Sequence, residues 1–279
     1  MSHSSPHEPF LWYRSGRWAK LSLLLLAAAI AAYVYSAPSL DRRGDTAIGY
    51  ALGIVSAGLI GWLLWFGVRK RRYVPGGAPL RGWLSAHVWL GFVLLFLVPL
   101  HCAFIFGWNV HTLAYVLMAM VIVSGMVGVY LYDAMPGRMT ENRPGVMMKA
   151  LLDQVAEIDR TCRELAQALP NEFANAVTVS AEQTRYGGGL LAQLRGPGAC
   201  GTARALEIVE KSAGRAPGPA AATVAKLNAE LKRKSQVVAQ IRGDIAMKGW
   251  LDLWLILHVP LAIGSAVAVL VHVFVVLYW

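Results

Sequence analysis

Five stretches of the chain stay apolar for about the length of a membrane crossing, and polar stretches of unequal length separate them. They are LSLLLLAAAIAAYVYSA, TAIGYALGIVSAGLIGWLLWFGV, GWLSAHVWLGFVLLFLVPLHCAFIF, TLAYVLMAMVIVSGMVGVYLY and WLDLWLILHVPLAIGSAVAVLVHVFVVLYW. A helix rises about 1.5 Å per residue, so roughly 20 apolar residues cross the hydrocarbon core of a bilayer, and each stretch is expected as a membrane helix. The first could also be read as a signal peptide; a retained helix is expected. Between the fourth and fifth the pattern changes. Met148, Leu151, Val155, Ile158, Cys162, Leu165 and Leu169 recur at steps of three and four, as do Val224, Leu227, Leu231, Val238, Ile241 and Ile245, interrupted by Lys234. Two such stripes predict amphipathic helices that zip together as an antiparallel hairpin, or that dock on a partner subunit. RYGGGLLAQLRGPGACG and KSAGRAPGPAAA between them read as loop, and the second stripe runs almost directly into the fifth span as one rod. The predicted fold is therefore all-α: an integral membrane helical bundle of five spans with a helical-hairpin insertion between spans four and five. The divisions are a tail at 1–18, spans one to four within 19–132, the insertion at 133–248 and span five at 249–279.

Charge orients this picture. Only 15% of residues are charged against 56% apolar, and the net charge of +10 is gathered beside the spans. Arg69, Lys70, Arg71, Arg72 and Arg81 flank the short loop between spans two and three, which the positive-inside rule assigns to the cytoplasm. The N-terminal tail and residues 133–248 are then cytoplasmic, the C-terminus lies outside, and the expected location is the cell inner (plasma) membrane with lipid as a partner. That distribution accounts for the basic balance without nucleic acid. Cys102, Cys162 and Cys200 are far apart, which disfavours covalent haem, cysteine-held iron–sulfur clusters and a disulfide scaffold. Gly187-Gly188-Gly189 is followed by no G-K-[ST], so it is not a phosphate loop, and no flavin or nicotinamide fingerprint is present.

The candidate chemistry lies in the spans. His87 and His101 are fourteen residues apart in span three, and His258 and His272 are fourteen apart in span five. Fourteen steps are close to four turns, so each pair shares a helix face about 21 Å apart, one histidine near each membrane surface. Spans three and five both run outward, which pairs His87 with His258 at the inner level and His101 with His272 at the outer level. Imidazoles at that depth need partners, and an iron between two of them satisfies both. This predicts two b-type haems with bis-histidine ligation, suited to one-electron transfer. The plain alternative is histidines that hydrogen-bond between helices. A zinc or copper transport site would gather its ligands around one ion and fits two levels badly.

Other residues have softer claims. Gly91 after His87, Gly264, and Ser124, Gly125 and Gly128 in span four could leave room for a macrocycle, although close helix packing explains small residues equally well. Most of Gly49, Gly53, Gly58 and Gly61 in span two are read as packing. Arg81 and Lys248 could pair with propionates of an inner haem or anchor the interface. Pro99 and Pro260 could kink their helices near the ligands. Asp252, with Trp250 and Trp254, could serve a quinone pocket or be a boundary carboxylate. Trp108 is expected at the outer interface, His111 at that interface or, alternatively, near a haem or a quinone, and His3 and His7 as solvated tail residues.

Two helices that each supply two histidines at this interval resemble the bis-haem cytochromes b. The histidines on spans three and five, running outward, are similar to the ferric reductase and NADPH oxidase family, without its His-Pro-Phe flavin motif or nucleotide domain. They are also similar to the cytochrome b of quinol-oxidising respiratory chain complexes, without its Pro-Glu-Trp-Tyr motif. The resemblance covers the spans and not the insertion, and it implies a haem-ligand role for His87, His101, His258 and His272. The function it implies is a di-haem cytochrome b subunit of a membrane oxidoreductase. Such a subunit passes electrons between a quinone or cytoplasmic redox partner and an outer-face redox partner. The alternatives are a self-standing metal or quinone reductase core, and a non-redox transporter or membrane sensor.

Overall fold

The computed structural model describes residues 10–36, 46–71, 79–133, 144–189, 200–215 and 218–278, and every regular element among them is helical. His3, His7, residues 72–78 of the basic loop and residues 190–199 of the insertion lie outside the described residues. The helices are α1 (Tyr13–Ser36), α2 (Ala47–Arg71), α3 (Leu80–His101), α4 (Val110–Asp133), α5 (Pro144–Ala166), α6 (Asn171–Gln183), α7 (Gly201–Ser212) and α8 (Gly218–Tyr278), with short 3-10 turns at Phe10–Trp12 and Ala213–Arg215. Five of the described helices are long and apolar enough to cross a membrane, as the pattern predicts. The chain forms two compact units, one of residues 1–129 and 254–279, the other of residues 130–253.

In the first unit α3 is the central helix: 39% of its apolar window is buried, against 6–17% for the other spans. Its Val93, Leu94, Leu97 and Leu100 pack with Ala29 of α1, Leu52 of α2 and Met118 of α4. Leu23, Leu24, Ile54, Val123, Leu270 and Phe274 stay exposed, an outer surface suited to lipid. Local signals place the helix starts. The Thr46 hydroxyl accepts from the Gly49 N–H at 3.0 Å ahead of α2, and the Asn109 carboxamide oxygen accepts from the Thr112 N–H at 3.0 Å at the start of α4. Helix α1 begins at Tyr13, ahead of the expected boundary at 19. Its first turn carries Arg14, Ser15 and Gly16 in left-handed backbone, and the preceding Leu11 carbonyl accepts from Trp89 Nε1 at 3.0 Å and Ser85 Oγ at 3.3 Å. These bonds fold the residues before the span back onto α3.

In the second unit both predicted stripes enter one core, but not as a simple hairpin. Leu151, Val155, Ile158 and Cys162 of α5 and Val224, Leu227, Leu231, Val238 and Ile241 of α8 share it with Phe173, Ala176 and Val177 of α6 and Ala205 and Val209 of α7. Two helices between the stripes, on either side of the segment at 185–201 expected as loop, thus supply packing faces, and α8 starts at Gly218, inside the segment at 211–222 expected as turn. Lys234, the break in the second stripe, is fully buried. Its Nζ donates to Asp159 Oδ1 at 2.5 Å and to the Ser180 carbonyl and hydroxyl at 2.9 Å each. Ser180 continues into a buried hydroxyl network, with Thr184 Oγ1 donating to the Ser180 carbonyl at 2.6 Å and lying 2.7 Å from Thr202 Oγ1.

Candidate functional site

Helix geometry sets the depth of each histidine, and the neighbouring helices decide what it meets. The four histidines fall into the two expected levels. His101 and His272 face each other with ring centroids 6.1 Å apart, and His87 and His258 are close enough to interact electrostatically. The residue offset is the same at both levels, 272 − 101 = 171 and 258 − 87 = 171, so α3 and α8 run parallel in register. Helix α4 runs the other way along α8. Ser124 meets His258 and His111 meets His272, a near-constant sum of residue numbers, 382 and 383, that marks an antiparallel pair.

Hydrogen bonds fix one imidazole at each level. At the outer level His101 Nδ1 lies 2.7 Å from the carbonyl of Gly49, which can only accept, so Nδ1 carries the proton and Nε2 presents its lone pair. At the inner level Ser124 donates its one O–H proton to the Val121 carbonyl at 2.8 Å. Toward His258 Nδ1, 2.7 Å away, the Ser124 oxygen therefore acts as acceptor, and the same tautomer follows. A proton on Nδ1 and a bare Nε2 is the state in which histidine ligates a metal, and the Nδ1 anchor orients the ring.

The other member of each pair is different. Nδ1 of His87 and Nδ1 of His272 are buried with no hydrogen-bond partner. Such an orphan costs about 1–3 kcal/mol, a penalty that a ligand bonded at Nδ1 itself would remove. Two imidazoles sharing one metal at about 2.0 Å per bond set their ring centres roughly 6 Å apart, which the 6.1 Å of His101 and His272 matches. Each level thus pairs an imidazole held at Nδ1 by a hydrogen bond with one whose Nδ1 is open, His87 having its backbone hydrogen bond at Leu63, and two imidazoles so placed could hold a haem iron between them. Among the described residues no group of three or more His, Cys, Asp or Glu is gathered to hold a single ion.

The surrounding residues sort differently from the sequence reading. Trp254 stacks on His258 at 5.0 Å, donates from Nε1 to the Ser124 carbonyl at 2.7 Å and fills the space over Gly128, where a Cβ would overlap its indole. Phe66 lies 4.9 Å from the His87 ring. Gly125 does face His258, but a Cβ there would sit at an ordinary 3.7 Å from the ring, so the position does not demand glycine. Gly91 faces Leu63 of α2, whose methyl would lie 3.9 Å from an added Cβ, and Gly264 has open space. Arg81, Lys248 and Asp252 are exposed.

Two contributors went unassigned in the sequence. Gly53, read among packing glycines, is where a Cβ would lie 2.6 Å from His101 Cε1 and 2.8 Å from Nδ1. His111, expected at the interface with a role near a haem or a quinone as the alternative, sets its ring 4.3 Å from that of His272. Glycines one turn apart at 49 and 53 are the signal for the first, since together they clear a helix face beside a bulky side chain. The fourteen-residue rule could not find His111, which lies on a helix without a second histidine. Family models, curated proteins and solved structures contain no match to this chain, so its site is defined by its own geometry.

Proposed function

We propose that this chain is a di-haem cytochrome b subunit that carries electrons across a membrane, with His87 and His258 holding the inner iron and His101 and His272 the outer. The observation that carries the reading is the repetition of one design at two depths. Each level pairs an imidazole whose proton is locked on Nδ1 with an imidazole whose Nδ1 is a buried orphan. Bound there, haem would supply one-electron chemistry, with His87 and His258 to hold one iron and His101 and His272 the other.

The protein's own residues do the rest. The Gly49 carbonyl and the Ser124 hydroxyl hold His101 and His258 in the ligating tautomer, and Trp254 and Phe66 wall the inner level with aromatic rings. Fourteen residues of helix separate the levels, about 21 Å between α-carbons, a span bridged by two cofactors and not by one. The basic flank of spans two and three supports an orientation with the inner level toward the cytoplasm of a cell inner membrane. Electrons then pass between a quinone or cytoplasmic redox partner and an outer-face partner, in the manner of the bis-haem cytochromes b. A reduced-minus-oxidised spectrum of the purified full chain, with extracted haem counted per polypeptide, tests this. Two b-type haems per chain are expected; a haem-replete preparation that holds none overturns the proposal.

A further inference from the structure

Resting on the di-haem reading, we infer that His111 is a positioning residue for the outer site, holding the His272 ring in the plane it presents to the iron shared with His101. Each α8 histidine has a second ring against it besides its α3 partner. At the inner level that ring is Trp254, 5.0 Å from His258, and there the histidine is also anchored through Nδ1 by Ser124. At the outer level the second ring is His111, with centroids 4.3 Å apart at 71°, closer than the 6.1 Å to His101. His272 has no anchor of the Ser124 kind, because its Nδ1 is buried without a partner. Its orientation therefore depends on the ring beside it, and that ring is polar.

The backbone around His111 is built to hold it there. Gly107 N–H donates to Thr112 Oγ1 at 3.1 Å and Thr112 N–H donates to Asn109 Oδ1 at 3.0 Å, locking the turn into the first residues of α4. Ala114 and Met118, three and seven residues on, are buried, so the first turn of α4 is tied to the bundle on the side that His111 shares. Partners of ligating histidines fix ring orientation, and their loss typically weakens metal binding about 10–100-fold.

The test compares His111→Phe, which keeps a ring, His111→Gln, which keeps a hydrogen-bonding group, and His111→Ala in the full-length haem-loaded protein. Low-spin electron paramagnetic resonance and redox titration read each haem separately, and the inner haem reports that the fold is intact. The outer-haem signal and midpoint are expected to move in the Ala and Gln variants, which lose the ring against His272, and to stay near native in the Phe variant, with outer-haem retention about tenfold weaker in the first two. Native outer-haem signals in His111→Ala, a Phe variant displaced as far as Ala, or an equal change at the inner haem overturns the inference. A native protein without an outer-haem signal instead sinks the di-haem reading itself, so the two failures are distinct.

Discussion

Gly53→Ala is the smallest change that reaches the outer site without touching a histidine. A Cβ at this position would lie 2.6 Å from Cε1 and 2.8 Å from Nδ1 of His101, closer than real Cβ atoms approach, and a tight 3.2 Å from Nε2. The ring has to swing away, and with it goes the 2.7 Å bond from Nδ1 to the Gly49 carbonyl. Losing that bond costs about 1 kcal/mol, and forcing a methyl group into a packed site costs about 1–3 kcal/mol. Alanine returns about 1 kcal/mol through its better helix propensity, which leaves a net destabilisation of about 1–3 kcal/mol. Outer-haem affinity should fall about 10–100-fold, as for other lost supports of a ligating histidine. Gly58→Ala on the same helix is the matched control, because nothing lies within 4 Å of its added methyl. Thermal unfolding in detergent gives the first magnitude and haem per chain the second. A Gly53→Ala protein that melts with the Gly58→Ala control and keeps a native outer haem would refute the assignment of this glycine to His101.

Replacing His87 or His258 with Ala should remove the same inner haem and spare the outer one, with His101 and His272 behaving as the other pair; difference spectra of the four variants read this, and a His87 phenotype matching His272 would break the parallel pairing. Lys234→Met should destabilise the second unit by about 3–5 kcal/mol, because Asp159 keeps a charge in a largely buried place. Adding Asp159→Leu should recover most of the loss in denaturant titrations, and a harmless single variant would contradict the buried pair. Thiol labelling should separate the two insertion cysteines. Burial, then the Asp159 charge, pushes the Cys162 thiol up to about 11. Burial also raises Cys200, but the N–H groups of Ala203 and Thr202 and the Arg242 charge outweigh it and bring that thiol below its ordinary value. Cys200 should therefore carry more thiolate below about pH 8.5, the usual thiol value. It should alkylate well ahead of Cys162 in peptide mass spectra, and equal rates would count against the structure around α7.

The depth of each histidine was legible because it is a property of one helix. Fourteen residues on a regular backbone fix a rise and a face whatever the neighbours are, and the alternating direction of the spans then selects partners. What a side chain meets across a gap is a property of two helices. Gly49 and Gly53 became partners of His101 only through the packing of α2 on α3, and Ser124 became the anchor of His258 only through the antiparallel register of α4 on α8. The same division explains the insertion. Stripes of Leu, Val and Ile stand out at steps of three and four, whereas the buried faces of α6 and α7 are built partly from Ala176, Ser180, Ala205 and Ser212, residues too small or too polar to count as a hydrophobic period. Lys234 marks where the two kinds of information meet. As an interruption it was visible, since a charge at a core position cannot remain unpaired. Its partners were not, because Asp159 lies beside the other stripe and Ser180 on a helix that the pattern did not contain. The histidines pose the same problem in the spans, with one difference. Lys234 finds its counterparts within the chain, while His87 and His272 each keep a buried nitrogen that the chain does not satisfy. Ser22 and Ser56 also keep buried hydroxyl oxygens without a partner, so it is the recurrence of an open imidazole nitrogen beside an anchored imidazole at two depths, and not an open polar atom alone, that favours a pair of cofactors.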